Sequence, residues 1–297
     1  MNPFRPRLPD YLKQSVPSGT AFHSIQEAIR EFRLNTVCEE AKCPNRTHCY
    51  GRGTLTFQIL GDTCTRSCGF CAEKFGRPQE GPDPTEPKRV VEAARKLGLK
   101  HVVITSPARD DLFDDGAGQF ALVVKEFRKE LPEVTVEILT PDFRARPECL
   151  KLVFEARPDI FNHNIETVRR LTPKVRNKAT YDRTLFVLKS ARQAGLRTKS
   201  GFMLGHGETK AEIRETFRDL KNVGCRMLTI GQYLPPSPHH LPVQRFYTPQ
   251  EFDELREEAL QYGFENVASG PLVRSSYHAD EAIKERCQTE HHFTTAT

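Results

Sequence analysis

Leu55 to Cys71 reads LTFQILGDTCTRSCGFC, a short β-rich run followed at once by three closely spaced cysteines. The same theme repeats along the chain. Further β-rich runs at His101–Thr105, Val134–Leu139, Asp159–His163, Thr198–Met203 and Met227–Ile230 alternate with helical patterns, and Glu265–Ala268 is a candidate seventh strand. Phe120, Val123, Val124, Phe127 and Leu131 fall at steps of three and four, which puts them on one helix face. Ile213, Phe217 and Leu220 do the same, as do Phe252, Leu255 and Ala259. Thr209 with Glu212, and Thr248 with Pro249 and Glu251, have the capping-box spacing of a helix start. Alternation of this kind specifies a parallel sheet with helices outside it. Six such units are too few for an eight-fold closed barrel. The expected fold is α/β, a partial (β/α)6 TIM-like barrel over residues 54–270, with its chemistry at the C-terminal ends of the strands. An N-terminal extension (1–53), helix-like from Ser24 to Phe32, precedes it, and a C-terminal segment (271–297) follows.

Composition narrows the function classes. With 297 residues the chain can bury a sizeable core. No stretch approaches the ~20 apolar residues of a membrane span, and the opening MNPFRPRLPDYLK lacks the apolar region of a secretory signal. A soluble cytoplasmic protein without membrane association is expected. The net charge of +5 comes from 44 basic and 39 acidic side chains scattered along the chain, not gathered into the stripe of a nucleic-acid binder. No nucleic-acid partner is expected. Nine cysteines are many for a reducing compartment, where disulfides are rare. Six of them fall between Cys38 and Cys71, which argues for metal before disulfide. Cys149, Cys225 and Cys287 are isolated and read as small buried apolar residues.

The loop after the first strand spaces its thiols as Cys64-x3-Cys68-x2-Cys71. Three thiolates so spaced can wrap three corners of a cubane 4Fe–4S cluster. Such clusters normally take four cysteines, so one iron is left open to a substrate. Structural zinc takes four ligands, commonly from paired Cys-x2-Cys units, which this loop does not supply. A second triplet, Cys38-x4-Cys43-x5-Cys49, precedes it. Each triplet is one ligand short of a tetrahedral set. One zinc or cluster shared between them would account poorly for six thiolates, so two separate 4Fe–4S clusters are the preferred reading.

The Cys64–Cys71 spacing, with aromatic Phe70 before the third cysteine, resembles that of the radical S-adenosylmethionine enzymes. Together with CEEAKCPN, VVITS, RDDL, LTPDF, FNHNIETV, TKSG, LTIGQYL and VASGPLVRSSYHADE, from about Thr36 to Asp280, the chain resembles the lipoyl synthase family. The resemblance implies insertion of two sulfur atoms at the sixth and eighth carbons of an octanoyl chain borne by a protein lysine. Two S-adenosylmethionine molecules would be consumed. A saturated methylene offers no acidic proton and no leaving group, so a radical made with a cofactor must take its hydrogen. On this resemblance Cys64, Cys68 and Cys71 hold the cluster that cleaves S-adenosylmethionine. Cys38, Cys43 and Cys49, in the N-terminal extension, hold an auxiliary cluster that donates sulfur. A serine of Arg274-Ser275-Ser276-Tyr277 completes the auxiliary site. That role is placed on Ser276, with Ser275 the alternative, and a hydroxyl is a poorer ligand here than a thiolate. The implied partners are octanoylated carrier domains, such as the glycine-cleavage H protein or 2-oxo-acid dehydrogenase acyltransferase subunits. An electron donor such as ferredoxin or flavodoxin, and an iron–sulfur carrier protein for cluster repair, are implied with them.

Other polar groups are open to two readings. Asn164 and Glu166, just after a strand, are candidates to contact the ribose or methionyl part of S-adenosylmethionine, but acidic residues also favour a helix start. Thr105 and Ser106 stand at another strand end. Gly205 and Gly207 mark either close approach of a ligand or a tight turn. Arg274 is a candidate to steer a carboxylate or the carrier peptide. His239 and His240, in the PPSPHHLP stretch (Pro235–Pro242), are expected in a surface loop without a metal role. Tyr50, Gly69, Pro107-Ala108 and His206 depart from the family pattern, and none is a cluster ligand. Among rivals, a methylthiotransferase would carry an added RNA-binding domain, and biotin synthase would lack the first triplet. A zinc adaptor would hold zinc without labile sulfide. Ile283–Thr297 carries no motif.

Overall fold

The computed structural model describes residues 7–13 and 20–276. Strand β1 (Asn35–Thr36) runs antiparallel to β2 (Thr56–Gln58), an addition at the sheet edge that no sequence pattern announced. The cysteine loop after β2 carries a small ribbon of its own, β3 (Thr63–Cys64) beside β4 (Lys74–Phe75). The other strands are β5 (His101–Thr105), β6 (Thr135–Leu139), β7 (Ile160–Asn162), β8 (Arg197–Leu204), β9 (Met227–Gln232) and β10 (Asn266–Gly270). They continue from β2 as a parallel sheet in the order β2-β5-β6-β7-β8-β9-β10. The run near residue 265 is therefore a seventh parallel strand, in register with β9 from Asn266 opposite Met227 to Gly270 opposite Gly231. The edge strands β1 and β10 do not pair with each other. The sheet is a partial, open barrel.

The sequence explains these elements locally. Strand β5 is rich in β-branched residues and is buried from Val102 onward, as a parallel strand covered on both faces must be. The helix Ala117–Glu130 packs Phe120, Val123, Val124 and Phe127 inward with no exposed surface. Burying each such side chain contributes about 1.5–3 kcal/mol. Helices Lys210–Asn222 and Pro249–Gln261 open with both expected capping boxes. Thr209 Oγ1 accepts from Glu212 N at 3.3 Å, and Thr248 Oγ1 accepts from Glu251 N at 3.2 Å. The forecast helix in the extension spans Thr20–Glu31 and buries Ile25, Ala28 and Ile29.

The inward face of the sheet positions the site. Thr105, Leu139, Gly201, Met203 and Gly231, near the C-terminal ends of their strands, line one cavity. Two residues earlier on the same face, by strand alternation, stand Glu137 and Lys199. They form a buried pair, Lys199 Nζ to Glu137 Oε1 at 2.9 Å, and Asn162 Nδ2 donates to the same oxygen at 2.8 Å. Burial alone would raise Glu137, but the Lys199 ammonium outweighs it and brings the carboxyl down to about 2. This buried polar cluster lies one layer below the residues that line the cavity. Among the described residues no helix is long and apolar enough to cross a membrane.

Candidate active site

The cavity encloses about 500 Å³ and is lined by all six cysteines of the two triplets. Phe70, Thr105, Ser106, Asn164, Glu166, Arg274, Ser275 and Ser276 line it as well. The thiols form two trios. Cys38 has Cys43 and Cys49 as interacting neighbours, whereas Cys71 has Cys68 and Cys64.

Burial pushes Cys38 up to about 12 and Cys49 up to about 11, and it raises Cys64, Cys68 and Cys71 as well. Such thiols on their own would stay protonated. Yet donors are aimed at the sulfurs. Arg66 N lies 3.4 Å from Cys64 Sγ and Asn177 N lies 3.4 Å from Cys68 Sγ. The Glu73 backbone serves Cys71 and the Thr56 backbone Cys38, while the Thr54 hydroxyl donates to the Cys49 carbonyl at 3.0 Å. A pocket that disfavours a bare thiolate but offers N–H groups to sulfur fits thiolates whose charge iron balances. Among the described residues no three His, Cys, Asp or Glu side chains converge as they would around one ion. A tetrahedral zinc would draw its thiolates to about 2.3 Å from a single centre. A cubane instead takes each thiolate at a separate iron.

Arg66, between the first two cysteines, anchors their loop. It is buried and grips Asp110 through Nε (3.0 Å to Oδ2) and Nη2 (2.7 Å to Oδ1), and Asp142 through Nη2 at 2.7 Å. Burial alone would raise Asp142, but the guanidinium holds its carboxyl well below the usual range. The RDDL and LTPDF stretches thus tie the cysteine loop to the ends of β5 and β6.

The segment after β10 returns across the cavity because two strand positions lack a side chain. A Cβ on Gly231 would lie 2.0 Å from the Val273 carbonyl oxygen. One on Gly201 would lie 2.4 Å from Asn164 Oδ1 and 2.8 Å from Ser275 Oγ. Asn45 Nδ2 donates to the Leu272 carbonyl, linking this segment to the loop of the first triplet. Asn164 Nδ2 donates to Ser275 Oγ at 2.7 Å. Ser276 opens to the same cavity and is the last described residue; Tyr277, Cys287 and residues 283–297 lie outside the described residues.

The structure decides between the readings left open for several residues and adds one that had drawn none. Gly205 and Gly207 are not in the cavity wall. They hold φ of 111° and 100° in a turn whose N–H groups, from Gly205 and His206, are bound by Glu208 at 2.6 and 2.9 Å. The tight turn is their role. His239 is exposed, as expected, but His240 is half-buried and meets the Cys71 carbonyl. Glu73 had drawn no attention. It lines the cavity, its Oε2 accepts from Gln58 Nε2 at 3.2 Å, and its buried Oε1 has no partner. Burial pushes it up to about 7, and only its place two residues after Cys71 could have flagged it. Cys149 and Cys225 are buried, as expected.

Residues 59–220 match the Radical SAM superfamily, and residues 1–43 match the N-terminal domain of lipoyl synthase of that family. A lipoyl synthase of Rubrobacter xylanophilus is 53% identical over 93% of this chain and 87% of its own length. One from Leptospira interrogans is 50% identical over 94% of this chain and 93% of its own. The crystal structure of Streptococcus suis SuiB bound to S-adenosylmethionine shares the fold, with a TM-score of 0.56 at 14% identity, over 75% of this chain and 54% of that one. A family that extends through the extension, both cysteine triplets and the barrel leaves one conclusion: the chain belongs to the lipoyl synthase family of radical S-adenosylmethionine enzymes.

Proposed function

We propose that Cys64, Cys68 and Cys71 hold the 4Fe–4S cluster that cleaves S-adenosylmethionine, and that Cys38, Cys43 and Cys49, with Ser276, hold a second, sulfur-donating 4Fe–4S cluster. As a member of its family the chain is a radical S-adenosylmethionine sulfurtransferase acting on octanoylated carrier proteins. The supporting observation for the division of labour is that two separate thiol trios open to one cavity. When bound, the pair would supply a reducing electron on one side and sulfur on the other.

The chain's own residues supply the rest. Arg66 holds the Cys64–Cys71 loop against Asp110 and Asp142. Asn164 and Glu166 present an amide and a carboxylate to the polar parts of S-adenosylmethionine, with the Arg176 guanidinium in the same wall acting on Glu166. Phe70, Met203 and Leu234 give the wall apolar surface suited to an acyl chain and keep water from it. Ser276 offers a hydroxyl oxygen, a weaker hold on iron than a fourth thiolate. Residues 1–53, 54–270 and 271–297 then divide the work into auxiliary-site thiols, radical barrel and serine segment. The glycine-cleavage H protein and 2-oxo-acid dehydrogenase acyltransferase domains are the carriers that fit this chemistry. A ferredoxin or flavodoxin would supply electrons, an iron–sulfur carrier would restore the spent cluster, and the cytoplasm would be the site of action.

The test is anaerobic incubation of the reconstituted enzyme with an octanoyl-lysyl peptide, reductant and S-adenosylmethionine. Mass spectrometry should show the peptide gaining two sulfur atoms. An unchanged peptide beside abundant 5′-deoxyadenosine would refute the substrate assignment.

A further inference from the structure

The Pro-rich loop at 235–242 closes on the cysteine loop. Leu241 N donates to the Gly69 carbonyl at 3.0 Å, and the Leu241 side chain fills the space over Gly69, where a Cβ would fall 2.9 Å from Leu241 Cγ. That contact accounts for glycine at a position where the family resemblance favours a larger residue. Tyr233 braces the same turn. Its hydroxyl donates to the Leu241 carbonyl at 2.8 Å, and its ring stacks on His206 with centroids 4.2 Å apart.

His240 makes the central contact. Its Nε2 lies 2.9 Å from the Cys71 carbonyl oxygen and its Nδ1 lies 2.8 Å from Ser237 Oγ. A carbonyl only accepts, so Nε2 carries the hydrogen, and in the neutral ring Nδ1 accepts from the Ser237 hydroxyl. Two bonds fix the ring's tautomer and its orientation. Donation into the Cys71 carbonyl sets the positive end of an N–H dipole beside that corner and polarises the Cys71–Ala72 peptide. The next peptide, held in place by that fixed unit, supplies the Glu73 N–H that serves the Cys71 sulfur.

We propose that His240, held by Ser237, is a positioning residue that fixes the Cys71 corner and raises the reduction potential of the cluster bound there. The proposal rests on the assignment of Cys64, Cys68 and Cys71 to a cluster. Hydrogen bonds around ligand sulfurs are among the levers that set such potentials, and a dipole pointing its positive end at the site favours the more negative, reduced state.

The test uses full-length protein with Cys38, Cys43 and Cys49 changed to alanine, so that a single cluster is read. Its midpoint is measured by potentiometric titration with EPR detection, and iron and sulfide per chain are assayed alongside. His240→Phe removes both bonds, whereas His240→Gln keeps an amide N–H near the place of Nε2. At a fixed potential near the parent midpoint, His240→Phe should hold about tenfold less reduced cluster relative to oxidised, about 59 mV for a one-electron couple. His240→Gln should recover most of this, and Ser237→Ala, which spares the ring, should shift the midpoint the same way by less. A midpoint unchanged in the loaded fraction of His240→Phe and of Ser237→Ala overturns the proposal, including when iron content falls, since that is a structural brace alone. A triple-alanine parent that binds no iron and sulfide at all would instead sink the cluster assignment, before any His240 variant is made.

Discussion

Gly231→Ala isolates the return of the C-terminal segment from everything else. Gly231 lies in β9 and is not among the glycines with positive φ, so alanine suits its backbone and the strand should survive. The conflict is with Val273, whose carbonyl oxygen would stand 2.0 Å from the new Cβ, against ordinary contact from 3.4 Å. Segment 271–276 must therefore retreat by about 1.4 Å, taking Ser275 and Ser276 with it. Overpacking of this kind costs about 1–3 kcal/mol. With each 1.4 kcal/mol worth tenfold in an equilibrium constant, the ratio of seated to displaced segment should fall by about five- to 140-fold. The Cys64–Cys71 loop is anchored elsewhere, through Arg66. Anaerobic turnover with quantified 5′-deoxyadenosine and thiolated peptide separates the two halves of the site. Cleavage of S-adenosylmethionine should stay within about twofold of the parent, while sulfur insertion falls with the seated fraction. Full sulfur insertion in Gly231→Ala, or parallel loss of both activities, would refute the reasoning.

Cys43→Ala should still cleave S-adenosylmethionine yet form no carbon–sulfur bond, and Cys68→Ala should abolish cleavage; identical behaviour of the two would contradict the division between trios. Arg66→Met leaves Asp142 with only Arg183 and Asp110 with only Lys178 as cationic partners, and should lower the unfolding free energy by about 1–3 kcal/mol in urea titrations. Adding Asp142→Asn should return part of that loss, and simple additivity of the two changes would count against the ion network. Glu137, brought from 4.5 down to about 2, contributes stability that is present above pH 4.5 and lost as pH falls through about 2. Glu137→Gln should therefore be less stable at neutral pH, but its stability should fall less between pH 4.5 and pH 2 than the parent's; parallel acid limbs would exclude this role.

Features contained within a few residues were legible in the sequence. The cysteine spacings, the two capping boxes and the apolar steps from Phe120 to Phe127 each rest on chemistry local to one loop or helix. Strand β5 was readable from its β-branched run, and the six-unit pattern already implied an open barrel. β10 was harder, because Asn-Val-Ala-Ser-Gly has little intrinsic strand character and takes its form from pairing with β9. β1 is two residues long and exists only through β2. What stayed hidden was contact across the chain. Arg66 meets Asp110 across 44 positions, and His240 meets Cys71 across 169. The departure at Gly69 was visible, but its cause, Leu241, was not. Ser275 and Ser276 are neighbours that reach one cavity, so spacing alone gave no reason to separate them.

The hydrogen bond from Asn45 to the Leu272 carbonyl spans 227 positions. At about 5–20 residues per second on the ribosome, the Leu272 end emerges roughly ten to forty-five seconds after the Asn45 end. For that interval the first three thiols exist without the strip of chain that later lies across them. Cys38, Cys43 and Cys49 thus stay openly accessible for that period, which ends when segment 271–276 docks. Chains cut short before residue 271 would keep those thiols accessible indefinitely and never complete the enclosure.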